Sequence, residues 1–189
     1  MELLEAIAAR RSVRRYQVRP VARETIEGLI RTATLAPSAS NVQPWAFGVI
    51  EDGGMLSEIS DRAKAYLLAA LEQTPALEHY RAPLSDPTFD IFYQAPALVG
   101  IYATAESAFA TGDCSMAAYT LMLAAREQGL GTCWIGFAIA YLNAPEAKAS
   151  LGVPAAYQAV SALVLGYPDG AYPTPTPRNA PEVVFWREG

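Results

Sequence analysis

The spacing of apolar residues along this chain predicts helices in some segments and strands in others. Apolar positions recur at helical spacing over residues 23–36, a segment that Pro37 ends. The same spacing predicts four further helices, over residues 2–9, 55–71, 113–128 and Pro145–Leu151. Short apolar runs predict strands at Trp45–Ile50, Ala97–Ala103, 132–135 and 158–165, with one more at 183–186 in the tail.

The helix predicted over residues 113–128 has an unusual composition, because residues 114–125 carry no charge on any face. Such a helix must be enclosed, either in the core or between subunits. We expect Asp113 to cap its start, and Gly129 suits the left-handed position that closes a helix.

Residues 72–94 fit no regular element. They combine three prolines with several aromatic residues, which is typical of an ordered loop or a lid. Several aromatic side chains of this segment, and two near residue 140, are expected either in the core or stacked on a substrate. They are Phe89, Phe92, Tyr93, Phe137 and Tyr141.

Charge is distributed unevenly along the chain. Residues 1–31 contain seven Arg and four Glu, a net charge of +3, whereas the whole chain of 189 residues carries −5. Five of these arginines occur without an intervening acid: Arg10, Arg11, Arg14, Arg15 and Arg19. The planar donors of arginine match phosphate, whereas an acidic protein repels a long polyanion, so we expect a small phosphorylated ligand and no nucleic acid.

The length and the rarer residues restrict the class of protein. The chain fits a single domain over residues 1–189. Its two cysteines form no CxxC pair and it has one histidine, so we expect no metal site and a reducing, cytoplasmic setting. No basic and apolar leader opens the sequence, and its longest uncharged helical run is too short for a bilayer, so no membrane association is expected.

Two loops have compositions suited to ligand binding. The loop from Pro37 to Pro44 offers small hydroxyl and amide groups that could hold an oxygen-rich ligand, although a simple helix-ending turn has the same composition. In residues 129–137 the glycines precede the predicted strand, so they form no dinucleotide fingerprint. Gly136 would instead let the backbone approach a flat ligand closely.

Four motifs, in this order along nearly the whole chain, resemble the FMN-dependent nitroreductase family. They are Arg-Arg-Ser-Val-Arg-Arg-Tyr at 10–16, the loop at 37–45, the segment at 131–137, and Leu-Gly-Tyr-Pro at 165–168 followed by Arg178. The resemblance implies an α+β fold with a mostly antiparallel central sheet enclosed by helices. It also implies a homodimer in which the C-terminal strand is exchanged between subunits.

The resemblance further implies an FMN at each of two sites in the dimer interface. Arg10, Ser12 and Arg178 would hold its phosphate, with Arg11 beside the phosphate or the ribityl chain. Arg14 would face the pyrimidine edge of the ring, and the backbone N–H groups of Ile135 and Gly136 would approach flavin N5. The other subunit would contribute a loop comprising Pro37, Ser38, Ala39, Ser40, Asn41 and Gln43. Nothing between Tyr66 and Pro83 stands out as the pyrimidine contact that relatives often place there.

The implied activity is hydride transfer from NADH or NADPH, through FMN N5, to a small acceptor such as a nitroaromatic or a quinone. Paired arginines can bind a phosphate bidentately, and a fixed cation at Arg14 would favour the reduced cofactor. Planar stacking would do most of the positioning for hydride transfer, so no catalytic histidine is required. Two alternatives stay open. One is another flavin enzyme of this fold, a reductive dehalogenase or a biosynthetic dehydrogenase, and the other is a non-catalytic flavin-binding redox sensor.

Overall fold

A four-stranded antiparallel sheet forms the centre of the protein. The computed structural model describes residues 2–71 and 75–188. The strands are β1 (Trp45–Ile50), β2 (Ala97–Ala103), β3 (Gly131–Trp134) and β4 (Gln158–Gly166), arranged in the order β1-β2-β4-β3. Every neighbouring pair is antiparallel, and a register shift interrupts the pairing of β2 with β4 at Ile101 and Tyr102.

Seven α-helices in the described residues surround this sheet. They are α1 (Leu3–Ala9), α2 (Arg23–Ala33), α3 (Gly53–Ala70), α4 (Arg81–Ser85), α5 (Ala110–Glu127), α6 (Gly136–Leu142) and α7 (Pro145–Leu151). Two short 3-10 helices occupy Ala39–Asn41 and Pro75–Tyr80. None of the described helices is long and apolar enough to span a membrane.

The helices divide into two layers, one on each face of the sheet. On one face α2 and α5 pack against the strands around residues such as Leu29, Leu121 and Leu163. On the other face α3, α6 and α7 enclose a second core around Phe92, Leu98 and Leu142. All seven residues of β2 are buried because helices cover both of its faces.

The arginine-rich segment lies along the outer edge of β3. The N–H of Val13 donates to the carbonyl of Thr132 at 3.0 Å, and Ser12 forms a parallel bridge with the same residue. Gly131 permits this close approach, since a Cβ there would lie 2.7 Å from the Val13 side chain. The edge pairing fixes the path of residues 10–16 and therefore the positions of their arginines.

The observed elements correct several sequence-based boundaries. The helix predicted over 23–36 ends at Ala33, and the helix predicted over 55–71 begins earlier, at Gly53, where the Asp52 side chain accepts from the Met55 N–H. The helix α5 begins at Ala110, so Asp113 lies inside its first turn and does not cap it. Gly129, with a φ of 75°, does take the predicted left-handed position.

Three segments differ in kind from their predictions. The helix α6 was not predicted, because residues 135–137 were assigned to the end of a strand and an approach to a ligand. In the segment over 72–94, the described part contains a 3-10 helix and α4, while residues 72–74 lie outside the described residues. Residues 183–186 form no strand within this chain and are exposed, with Val184 at 86% and Trp186 at 80%.

Candidate functional site

The N-terminal arginines and the C-terminal tail line one polar cavity of about 270 Å³. Its walls combine four residues of the basic segment with four residues of the tail: Arg10, Arg11, Ser12, Arg14, Pro173, Thr174, Thr176 and Arg178. The structure therefore brings together all the side chains predicted to hold a phosphate, from opposite ends of the sequence.

Aromatic and backbone contacts direct the tail toward this cavity. Just after β4, Pro168 bridges to Tyr16, and the N–H of Asp169 donates to the carbonyl of Arg15 at 3.0 Å. The Tyr172 hydroxyl donates to the carbonyl of Leu130, and the Arg126 guanidinium lies over the Tyr172 ring at 3.8 Å. These contacts fix the start of the tail, so that residues 173–178 reach the basic segment.

Two of the arginines that line this cavity also have a buried donor without a partner. The Nε atoms of Arg10 and Arg11 have no hydrogen-bond acceptor among the described residues. A buried donor without an acceptor costs free energy, so such donors usually mark a bound anion or water. The Arg10 guanidinium also lies 5.7 Å from the Tyr119 ring centroid, a contact that restricts its orientation.

A second cavity, of about 230 Å³, adjoins the first and shares Arg14 with it. It lies between three walls: Arg14 of the basic segment, the loop side chains Tyr80, Ile91 and Tyr93, and residues 133–137 at the junction of β3 and α6. Its shape and composition combine a cation at one end with aromatic walls, which suits a flat ring with an electron-rich edge.

The aromatic side chains predicted to lie either in the core or at a substrate site separate into both groups. Phe92 and Tyr141 are core residues, with exposed fractions of 0% and 4%. Tyr93 and Phe137 line the second cavity, and Phe137 meets Tyr80 edge to face at 5.0 Å. Tyr80 was not predicted as a site residue, since its own segment gave no periodic signal.

The backbone at the start of α6 modifies one expectation. The N–H of Ile135 donates to the carbonyl of Ala162 at 2.8 Å and is therefore already used inside the sheet. Gly136 is exposed and begins α6, whose first N–H groups lack intrahelical acceptors. Of the two backbone N–H groups predicted to approach the flat ligand, the one at Gly136 can therefore do so. A Cβ at Gly136 would meet nothing within 4 Å.

Burial keeps the polar groups beneath the second cavity neutral. Desolvation raises the pKa of the Cys133 thiol, while Arg14, Ser12 and Arg10 partly oppose that increase. Desolvation also raises the pKa of Tyr16, whose hydroxyl donates to the carbonyl of Val13 at 2.7 Å. Neither group offers an anion near neutral pH, and Arg14 forms no ion pair with any residue that the structure describes.

The loop at residues 37–43, which was predicted to contact the ligand, lines neither cavity. Three of its non-glycine residues have positive φ angles: Ser40 at 51°, Asn41 at 55° and Gln43 at 52°. The buried Asp113 carboxylate accepts from the Ala39 N–H at 3.2 and 3.3 Å, and Ser38 Oγ accepts from the Gln43 N–H at 2.9 Å. This strained, anchored loop does not reach the arginines of its own chain.

A larger cavity, of about 540 Å³, lies elsewhere, between residues 17–20, the start of α3 and residues 87–96. Three acidic side chains line it with one cation, Arg19, which stacks on Tyr167 at 3.9 Å; the acids are Glu51, Asp61 and Asp90. Its negative lining suits a phosphorylated ligand less well than the two cavities that meet at Arg14.

Comparison with known proteins gives a consistent result. The model of the nitroreductase family matches residues 7–167. A protein of Archaeoglobus fulgidus with the provisional name NADH dehydrogenase/NAD(P)H nitroreductase is 31% identical over 167 residues, which cover 88% of this chain and 86% of that protein. A 5,6-dimethylbenzimidazole synthase of Rhodospirillum rubrum is 30% identical over 178 residues, covering 88% and 82%.

The fold is also similar to solved structures. A nitroreductase of Bacteroides fragilis, crystallised with bound FMN, superimposes with a TM-score of 0.85 and is 28% identical. The superposition covers 99% of this chain and 100% of that one.

Proposed function

Because this chain belongs to the nitroreductase family, we propose that it is an FMN-dependent oxidoreductase that uses NADH or NADPH to reduce a nitroaromatic, a quinone or a similar small acceptor. The family and the α+β fold class predicted from the sequence are confirmed, apart from the strand exchange, which a single chain does not contain. One observation carries the proposal: a polar cavity lined by arginines and an aromatic-walled cavity share Arg14 as a wall residue.

The first cavity fits the phosphate of FMN. A flavin phosphate carries up to two negative charges, and the cationic side chains of Arg10 and Arg11 line this cavity. Arg178 and Ser12 line the same cavity and complete a donor set without a carboxylate. These side chains would bind the cofactor and fix its position without taking part in the chemistry.

The second cavity fits the isoalloxazine ring. When bound, FMN would supply the hydride chemistry, while the chain would orient the ring and set its electrostatic environment. Arg14 would stabilise negative charge at the pyrimidine end, and the Gly136 backbone would face the ring without a Cβ in the way. Aromatic walls at Tyr80 and Phe137 would stack a flat donor or acceptor and exclude water.

A homodimer would complete the site. The loop at residues 37–43 is strained and exposed but lies away from the cavities of its own chain, which is consistent with a contribution to a partner's cofactor. Exposed apolar side chains cluster on α1 and α5, including Leu3, Leu4 and Tyr119. The exposed apolar tail at 183–186 would add to the partner's sheet. We also propose a cytoplasmic location, which suits the two free cysteines.

A second candidate has specific support. One relative of this chain, 30% identical to it, is named 5,6-dimethylbenzimidazole synthase, which is the name of a biosynthetic reaction. A biosynthetic enzyme of the same fold is therefore the alternative to a nitro or quinone reductase.

The test is a steady-state screen of NADH and NADPH with nitroaromatic, quinone and halogenated aromatic acceptors, using the FMN-loaded protein. The proposal predicts nicotinamide oxidation that depends on a nitroaromatic or a quinone. Oxidation supported by none of these acceptors, despite bound FMN, would favour the biosynthetic alternative.

A further inference from the structure

Two adjacent residues beside the second cavity have unusual backbone conformations. Tyr93 has a φ of 56° and Gln94 a φ of 54°. Non-glycine residues rarely adopt this left-handed region, and two in succession persist only where the surrounding structure holds them. Glycine would be the less strained residue at both positions.

The carboxylate of Asp90 holds this turn. One carboxylate oxygen accepts from the N–H of Phe92 at 2.8 Å, and the other accepts from the N–H of Gln94 at 2.7 Å. The N–H of Tyr93 donates to the Asp90 carbonyl at 3.0 Å. Asp90 thus satisfies three successive backbone donors, and these bonds fix the direction in which the Tyr93 side chain leaves the turn.

The helix α3 anchors the segment that carries Asp90. The amino group of the buried Lys64 donates to the carbonyl of Phe89 at 2.7 Å, and Ser60 Oγ accepts from the N–H of Ile91 at 3.1 Å. Since α3 packs against the sheet through the second core, the turn is fixed relative to the whole fold. The position of the Tyr93 ring is therefore set by the scaffold.

The Tyr93 ring contacts the cation at the meeting point of the two cavities. The Arg14 guanidinium carbon lies 5.8 Å from the Tyr93 ring centroid, within the range of a cation–π interaction. Arg14 forms no hydrogen bond or ion pair with any other residue that the structure describes, and its side chain is exposed. The ring is thus the contact that restricts the guanidinium.

We infer that Tyr93 is a positioning residue for Arg14, holding the guanidinium at the pyrimidine end of the ring site, and that Asp90 fixes Tyr93 for this purpose. The inference rests on the proposed function, in which Arg14 stabilises the reduced cofactor. A fixed cation lowers the free energy of added negative charge more than a mobile one, because no reorganisation is needed when the charge arrives. In this role the pair would act at the pyrimidine end, for which no residue between 66 and 83 stands out in the sequence.

The experiment measures the midpoint potential of bound FMN, together with its dissociation constant, in ring variants of the holoprotein. Tyr93→Leu removes the ring face, and we expect about a tenfold loss of preference for the reduced state, which is about 30 mV toward negative potential for a two-electron couple. Tyr93→Phe retains the ring face and should keep the potential of the unmodified protein. An equal shift in both variants would overturn the inference, since the hydroxyl would then be the active group.

A double-mutant cycle tests whether Tyr93 acts through Arg14. In the Arg14→Ala background, Tyr93→Leu should produce no further shift of the potential. The same shift in both backgrounds would show that Tyr93 acts on the cofactor independently, contrary to the inference.

The role of Asp90 has a matched control in the same segment. Asp86 accepts from the N–H and hydroxyl of Thr88 and makes no described contact with Tyr93. We expect Asp90→Asn to shift the potential in the same direction as Tyr93→Leu, and Asp86→Asn to leave it unchanged. Equal potentials for both asparagine variants would refute the role of Asp90.

Bound FMN with unshifted potentials would overturn this inference alone, whereas failure to bind FMN at all would overturn the proposed function as well.

Discussion

Arg10 and Arg178 are 168 positions apart in sequence, yet they line the same polar cavity. Each would donate to one doubly charged phosphate, and a hydrogen bond to a charged group contributes about 1.5–3 kcal/mol. The affinity for the cofactor should therefore depend on individual arginine side chains.

Replacing Arg10 or Arg178 by Ala should weaken FMN binding by about 1.5–3 kcal/mol, because one charged donor to the phosphate is lost. Fluorescence titration of the apoprotein with FMN measures the change. Arg15→Ala is the control, since Arg15 pairs with Asp169 at an exposed position outside the cavity. Unchanged affinity in both cavity variants would refute the assignment.

The buried thiol of Cys114 predicts a pH dependence of stability. Burial first, and Asp113 second, raise the pKa of Cys114 to about 11 in the folded protein, and its Sγ lies 3.4 Å from the Pro44 carbonyl. Because the thiol ionises less readily in the folded protein than in the unfolded one, the neutral thiol stabilises the fold. This stabilisation is complete below the unfolded pKa of about 8.5 and is lost as pH rises toward 11.

Above pH 8.5, ionisation of the Cys114 thiol in the unfolded state should lower the free energy of unfolding by up to about 1.4 kcal/mol for each pH unit. Urea unfolding at pH 7 to 10.5 measures it, and Cys114→Ala should have a shallower decline than the unmodified protein. Parallel declines in the two proteins would mean that the thiol ionises equally in the folded and unfolded states.

Among the elements, the loop at residues 37–43 shows how one buried side chain fixes a strained segment. The Asp113 carboxylate lies in the first turn of α5, where it is 4% exposed and accepts from the Ala39 N–H. Three residues of the loop keep positive φ angles, each of which costs roughly 1–3 kcal/mol unless the surrounding structure compensates.

Asp113→Ala should lower the free energy of unfolding by about 1–3 kcal/mol, because the Ala39 N–H would lose its acceptor. Urea denaturation checks this value, and FMN affinity should fall in the same variant if the loop contacts a partner's cofactor. In the control, Asp169→Ala, an exposed pair is lost and the cost should stay below about 1 kcal/mol. A cost no larger for Asp113 than for Asp169 would contradict the anchoring role.

The sequence predicted those elements whose limits are set by local residues. The bounds of β1, β2 and α7 match, because apolar runs or a helix-starting Pro145 and a left-handed Gly152 define them. The helix α6 was missed because the residues at its start also suit the end of a strand, whereas its packing against α3 and β4 forms only in the folded chain.

The site could be predicted only in part. Arginine composition indicated a phosphate site, and the family resemblance brought Arg178 to it. The left-handed turn at Tyr93 had no sequence signal, because it depends on hydrogen bonds from Asp90 that form only in the folded loop. The same holds for the loop anchored by Asp113, where sequence periodicity indicated a helix cap instead.

At the scale of the whole molecule, the exposed apolar surface indicates an assembly larger than one chain. The uncharged stretch of α5 at residues 114–125 was expected to be enclosed, yet Met116 and Tyr119 in it are 40% and 41% exposed. The exposed apolar residues of α1 lie on a helix that packs against α5, and together they form a face that water would otherwise cover.

We therefore expect the FMN-bound protein to have twice the 20.3 kDa chain mass at micromolar concentration. Light scattering after size exclusion measures the mass. Met116→Glu should shift the protein toward the monomer by placing a charge on this face, whereas Met55→Glu, at an equally exposed position on α3, should remain dimeric. A monomeric mass of the unmodified protein with FMN still bound would contradict the dimer.

We propose that the two cavities that share Arg14 bind FMN for reduction by a nicotinamide. An anaerobic absorption spectrum of the purified protein, reconstituted with FMN and then mixed with NADH or NADPH, tests this most directly. We expect a flavin spectrum that bleaches on addition of at least one nicotinamide. Bound FMN that keeps its colour with both nicotinamides would contradict the reductase, and failure to bind FMN would contradict the site itself.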